Sequence, residues 1–200
     1  MIVEKMDTEQ GAVHAPFLFM LFLNNLLLIS NNAFHSFADD SSLHSSYYIK
    51  NPPTAQQTQT FREQQADLLS SDLDRILAWG KKNFVTFNSS KTQTTCTISC
   101  KKNTNKCNPR MDGCSITQKE TVSLLGVAIA NNHNWHTHVS NIAKSAACKL
   151  GFLFRAKGYF IAENLLTLYK SQIRPCLEYC SNVWGAAPKT TLAMLDSIQK

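Results

Sequence analysis

The stretch Ala33-Phe34-His35-Ser36-Phe37-Ala38-Asp39-Asp40-Ser41-Ser42-Leu43-His44 decides how the chain is read. Apolar residues flank a short polar centre, the pattern of two strands around a tight turn. The spacing predicts one strand over Ala33–Phe37, a second over Leu43–Tyr48, and Asp39-Asp40-Ser41-Ser42 between them. The two acids then sit at the tip of a β-hairpin. Adjacent carboxylates repel unless a cation neutralises them. Mg²⁺ takes oxygen ligands, commonly one or two carboxylates together with substrate phosphates, so Asp39 and Asp40 form a candidate metal site. Asp-Asp is also ordinary turn chemistry, and the pair alone leaves both readings open.

On the N-terminal side lies the apolar run Pro16–Ile29. Lys5 precedes it, as in a signal peptide, but so do Glu4, Asp7 and Glu9, and no small-residue cleavage site follows. The run is too short to span a membrane, and Asn24-Asn25 interrupts it. It reads as a buried helix over Ala15–Leu28 with Pro16 in the first turn. On the C-terminal side, Asn51-Pro52-Pro53 closes the hairpin unit as a loop. Residues 61–80 form an amphipathic helix, with Ala66, Leu69, Leu73, Ile76 and Leu77 on one face and Glu63, Asp67, Ser70 and Asp74 opposite.

Strands are expected over Val85–Phe87, Thr92–Ser99 and Val122–Ile129, with a basic, Asn-rich loop at 101–115. After Trp135 the spacing turns helical through Val139, Ile142, Ala143, Ala146, Leu150, Leu153 and Phe154. A second helix starts near Glu163 with Leu166, Tyr169, Ile173 and Leu177 on one face and a kink at Pro175. A third begins near Lys189. The fold class is therefore α+β: a mixed unit over 1–130, then a helical unit over 131–200.

Charge divides along the same line. Residues 1–80 hold four Lys/Arg against nine Asp/Glu, and residues 81–200 hold sixteen against five. The resulting +11 in the later part is the footprint of a polyanion partner, or a solvated basic face. The seven cysteines do not read as a secreted disulfide framework, and no disulfide-linked partner is expected. Cys176 and Cys180 fall within a helical pattern as core residues. His133, His136 and His138 raise a zinc reading, but no CxxC or HExxH accompanies them. Without a secretory signal, Asn88-x-Ser90 is a chance glycosylation match, and the chain reads as nuclear or cytoplasmic rather than secreted.

Phe37-Ala38-Asp39-Asp40 resembles the aromatic-x-Asp-Asp box of reverse transcriptases, and His35–Ser46 resembles that of jockey-like, non-long-terminal-repeat retrotransposons. Gln10-Gly11-Ala12-Val13, with Pro16, Leu18 and Phe19, is similar to the family's Gln-Gly-Ser-Val box. Phe87-Asn88-Ser89-Ser90-Lys91-Thr92 resembles the next palm box. Leu124-Leu125-Gly126-Val127, with Trp135 and His138, resembles the strand that grips the primer. Ile173-Arg174-Pro175-x-Leu177-Glu178-Tyr179, with Val183-Trp184, resembles the thumb. Five boxes in family order are far more specific than one.

The resemblance implies a partial palm, an antiparallel sheet with helices, over 1–130 and a partial helical thumb over 131–200. It implies RNA-directed DNA polymerase chemistry on an RNA template, a DNA primer and dNTPs, with two Mg²⁺ ions. Asp39 would bind the metal and Asp40 would support it. Gln10 and Gly11, with Phe37 and Ala38, would shape the nucleotide and template pocket. Lys91 would assist the leaving pyrophosphate, or stand as an exposed turn lysine. The family's third carboxylate comes from a strand before the Gln-Gly box, and only nine residues precede Gln10. The chain is expected to be truncated at both ends and inactive alone; the rival expectation is a non-catalytic nucleic-acid-binding remnant. Glu9, Ala12 and Asn25 stand where Pro, Ser and Asp are usual.

Overall fold

The structure, a computed structural model, describes the backbone of Val3–Glu4 and residues 13–46, 54–96 and 107–199. The expected Asn51-Pro52-Pro53 loop, Gln10, Gly11 and residues 101–106 of the basic loop at 101–115 lie outside the described residues. The chain divides into two compact units, Met1–Lys119 and Glu120–Lys200. Helices and small antiparallel sheets together make the fold α+β.

In the first unit β1 (Val3–Glu4) is followed by α1 (Ala15–Leu27), with Pro16 in its first turn. A hairpin comes next, β2 (Ala33–Phe37) and β3 (Asp40–His44). The 28-residue α2 (Ala55–Lys82) starts six residues earlier than the apolar stripe alone indicates. The reason is a capping box: Thr54 Oγ1 accepts from Gln57 N, and Gln57 Oε1 accepts from Thr54 N. Its last turn carries Lys81 and Lys82, favourable at the negative end of the helix dipole. Asn83 caps it and Phe84 turns left-handed at φ +58. Val85 N then bonds Gly80 O at 2.8 Å, one of the two bonds of a Schellman stop. That turn drops the chain directly into β4 (Thr86–Phe87), which pairs antiparallel with β1.

The core of this unit gathers Leu23 and Leu26 from α1, Phe34 from β2, Leu73 and Ile76 from α2, and Val85 and Phe87 at β4. α1 thus packs among β2, α2 and β4, but the full burial expected of it is not observed. Phe17, Leu18, Met20, Leu21 and Leu28 are exposed, because α1 packs by one face only. Two strand expectations and one loop expectation are also corrected. In the described part of Thr92–Ser99, residues 92–96, there is no strand; Thr94 makes a single parallel bridge to Gln118. The end of the Asn-rich loop is a hairpin, β5 (Arg110–Met111) and β6 (Cys114–Ser115), turned by Asp112 and Gly113 at φ +51 and +73. In the second unit, Val122–Ile129 is not one strand but a hairpin, β7 (Thr121–Leu124) and β8 (Val127–Ala130). Leu125 and Gly126 form its turn at φ +48 and +79, the two positive values a type I′ turn needs.

α3 (His136–Ala156) buries Val139, Ile142 and Ala146. Phe154, expected on that face, is 63% exposed at the helix end. α4 (Ala162–Leu168) runs into a π-helical segment, Tyr169–Ile173, and then α5 (Arg174–Glu178). Pro175 has no N–H to continue an α ladder, and a wider turn absorbs the mismatch: Arg174 N bonds Tyr169 O. Leu166, expected on the apolar face, is exposed as a result of this register. α6 (Ser181–Trp184) and α7 (Lys189–Gln199) complete the unit. Val139, Ile142, Ala146, Ile173, Leu177, Trp184 and Leu195 form its core. Tyr179 Oη donates to Leu125 O at 2.9 Å and pins the β7–β8 turn.

His138 is buried between Trp135 and Trp184, whose rings meet it edge-on at 6.2 and 6.1 Å. Its Nδ1 accepts from Ala128 N at 3.2 Å, so the ring is a neutral structural wedge, and burial holds its pKa below the ordinary value. Among the described residues no group of three His, Cys, Asp or Glu could hold a metal ion, and no helix is long and apolar enough to cross a membrane.

Candidate active-site hairpin

The β2–β3 register pairs Phe37 with Asp40 and Phe34 with Leu43. The turn is therefore only Ala38-Asp39, two residues rather than the four acidic and hydroxyl residues expected. The second strand begins at Asp40, ahead of the expected Leu43. Ala38 takes φ +50, a left-handed conformation that glycine adopts more readily. Ser36 steadies the turn: its Oγ lies 3.2 Å from both Ala38 O and Ser41 Oγ.

Strand alternation then sorts the side chains. Phe34, Ser36, Ser41 and Leu43 share the inner face, with Phe34 buried in the core. His35, Phe37, Asp40, Ser42 and His44 share the other face. Phe37 is 68% exposed, and Asp39 and Asp40 are exposed. The rings of His35 and His44 stack on this same face, 5.2 Å apart and 10° from parallel. The stack was not anticipated from the sequence, although a period of two from Phe37 and Asp40 points to it.

The hairpin is held at its base by Asp72 of α2, which is 1% exposed. Its carboxylate accepts from Ser30 Oγ at 2.8 Å, Asn31 N at 3.2 Å, Asn32 N at 3.0 Å and Asn32 Nδ2 at 2.8 Å. Arg75 Nη1 adds a contact at 3.5 Å. Burial pushes the Asp72 carboxyl up. The hydrogen bonds from the Ser30 and Asn32 side chains and the Asn31 and Asn32 backbone push it down and prevail, so its pKa lies below the usual value. The sequence carried a signal for this residue: Asp72 falls three after Leu69 and four before Ile76, on the apolar stripe, where a carboxylate needs partners.

Phe37, Ala38, Asp39 and Asp40 thus come together on one hairpin. Lys91 belongs to a different element, the 3₁₀ turn Ser89–Lys91 after β4, where its backbone N donates to Asn88 Oδ1 at 3.2 Å. Its side chain is exposed. Gln10 and Gly11 lie outside the described residues. Neither Asp39 nor Asp40 has a cationic partner among the described residues.

The family described as reverse transcriptase (RNA-dependent DNA polymerase) matches residues 2–129, and the chain belongs to that family. No curated protein and no solved structure matches the chain. Members of the family generally use divalent metal ions and act on a nucleic-acid template and primer with nucleotide substrates.

Replacing Ala38 by glycine is expected to raise stability by about 0.5–1 kcal/mol, since relief of the left-handed backbone exceeds the entropy glycine adds to the unfolded chain. Ala38→Val should act in the opposite direction, because a β-branched residue resists positive φ. Chemical denaturation of both variants reads the sign.

Proposed function

We propose that the chain is part of an RNA-directed DNA polymerase of a non-long-terminal-repeat, jockey-like retrotransposon. Its first part belongs to the palm and the helices after Trp135 belong to the thumb. The observation that carries this reading is the exposed Asp39-Asp40 tip on a two-residue turn, inside the matched range 2–129. Asp39 would bind Mg²⁺ and Asp40 would support that site from the strand. Phe37 and Ala38, with Gln10 and Gly11, would shape the pocket for template and dNTP. Lys91 would donate toward the departing pyrophosphate. Divalent ions, when bound, would stabilise the attacking and leaving oxygens of an in-line transfer from a primer 3′-hydroxyl.

Asp39 and Asp40 on one hairpin are short of the three carboxylates that a two-metal site of this family uses, and among the described residues no third acidic group joins them. The 200 residues alone are therefore expected to hold Mn²⁺ weakly and to extend no primer. Paramagnetic broadening by Mn²⁺ should centre on residues 37–41 and vanish in Asp39→Ala. Primer extension on an RNA template with Mg²⁺ or Mn²⁺ should give no product. A product that disappears in Asp39→Ala overturns the inactivity. Broadening that persists in Asp39→Ala overturns the metal assignment. A second reading, nucleic-acid binding without chemistry, is favoured by the +11 balance over residues 81–200. It predicts salt-dependent binding that survives Asp39→Ala.

A further inference from the structure

The C-terminal end of α3 carries a feature that palm chemistry does not use. Phe152 and Phe154 are 61% and 63% exposed, and Tyr159, just past the helix, is 89% exposed. Each phenylalanine has a cation at its ring: Arg155 Cζ lies 4.5 Å from the Phe152 centroid, and Lys157 Nζ 5.7 Å from that of Phe154. Beside Phe152 a hollow of about 280 Å³ opens between α3 and the π-helical segment, with Leu153, Ala156 and Ile173 on its apolar wall. Lys149 stands at its edge, its Nζ donating to Gln172 O at 3.2 Å. The surrounding chain has a single sign. Between Glu120 and Glu163 there is no Asp or Glu, while Lys144, Lys149, Arg155 and Lys157 all fall there.

Exposed aromatic rings alone would fit any apolar partner. Rings paired with cations, in a stretch of forty-odd residues without a carboxylate, fit a ligand of alternating flat apolar groups and anions. We infer that the end of α3, with Phe152 and Arg155 on one side of the helix, Phe154 and Lys157 on the other, and Tyr159 just past it, binds single-stranded nucleic acid by stacking its bases. Unpaired bases offer π faces to the rings, and their phosphates meet the cations; bases paired in a duplex keep those faces stacked on one another. The guanidinium at Phe152 extends the stacking surface, and the hollow beside that ring admits a splayed base. The inference rests on nucleic acid being the partner but not on hairpin chemistry.

The test uses the full chain, without metal or nucleotide, and a fluorescent oligodeoxythymidylate against a duplex of equal length. Failure of polymerase chemistry therefore leaves the readout untouched. Phe152→Leu/Phe154→Leu/Tyr159→Leu should weaken single-strand binding by about tenfold or more, with an unchanged salt slope. Arg155→Gln/Lys157→Gln should instead reduce the slope of log affinity against log salt by about 1.4. Thermal melts check that both variants fold. Tyr159→Trp alone, at a position already in solvent, gives an independent reading: the oligonucleotide should quench the fluorescence of the introduced indole and the duplex should not. A triple variant that binds the single strand within about twofold of the parent overturns the inference, as does equal loss toward duplex and single strand. Indole fluorescence left unquenched when the Tyr159→Trp variant is bound to the oligonucleotide overturns it too. A parent that sediments as a dimer and binds no oligonucleotide assigns the patch to a second copy, and also overturns it.

Discussion

Asp72→Ala is expected to destabilise the first unit by about 3 kcal/mol, enough to remove a large fraction of a typical domain's stability. The substitution removes the shared acceptor of four donors, Ser30 Oγ, Asn31 N, Asn32 N and Asn32 Nδ2. Ser30 Oγ can turn to Asn32 O and Asn32 N keeps Ser30 Oγ, so the loss falls on Asn31 N and Asn32 Nδ2. Asp72→Asn keeps an acceptor and loses the charge, so it should cost less. The pH dependence has a definite sign. Because the folded pKa lies below the unfolded value, the unfolded chain binds the proton more readily. The contribution of Asp72 is therefore present above the unfolded pKa and is lost as pH falls through the folded one. Urea titrations across that acid window should show parent and Asp72→Asn converging, with the parent's advantage restored near neutrality. Parallel curves at every pH would remove the carboxylate from the account.

The second large effect is expected at Gly80. A Cβ there would stand 2.7 Å from Val85 O and 2.8 Å from Phe87 Cε2. The first of these atoms is backbone and cannot rotate away, and the second belongs to a ring buried in the core. Alanine would gain about 1 kcal/mol in helix propensity. The clash works against this, since pushing β4 off α2 breaks the Val85–Gly80 bond and loosens Phe87. Gly80→Ala should be destabilising on balance by roughly 2 kcal/mol, lowering Tm by several degrees. An unchanged or raised Tm would show that β4 can retreat without loss.

Long periodic elements were legible in the sequence, and short turns were not. The apolar stripe of α2 and the helical spacing after Trp135 are summed over many residues, so one deviating side chain does not hide them. The hairpins at 110–115 and 121–130 depend on two backbone angles each. Gly126 marked one of them, but its turn partner is Leu125, which composition places in a strand. Asp112-Gly113 is a stronger turn signal, masked by the polar, Asn-rich run before it. The expected second strand of the acidic hairpin began too late because Ala38 carries no turn signature; its positive φ is imposed by the register. Faces were harder to assign than elements. The apolar run of α1 marks its solvent side with Asn24 and Asn25 alone, too little to show that the apolar residues around them are exposed as well, and the expected face after Glu163 ignored the wider turn before Pro175. Within the candidate site, Asp39 and Asp40 stood out as a motif, whereas Asp72 and the His35–His44 stack emerge only from three-dimensional pairing.

The clasp at Asp72 also sets a mechanical limit on the hairpin tip. From Ala33 to the turn, β2 acts as a lever about 17 Å long, pivoted where Ser30–Asn32 meet α2. A tilt of about 5° at the pivot swings Asp39 through about 1.5 Å, whereas a working constellation tolerates about 0.5 Å. Angular stiffness at the base is therefore amplified into positional accuracy at the tip. The short hydrogen bonds around Asp72 set how sharply the two acids are aimed, although they touch neither of them.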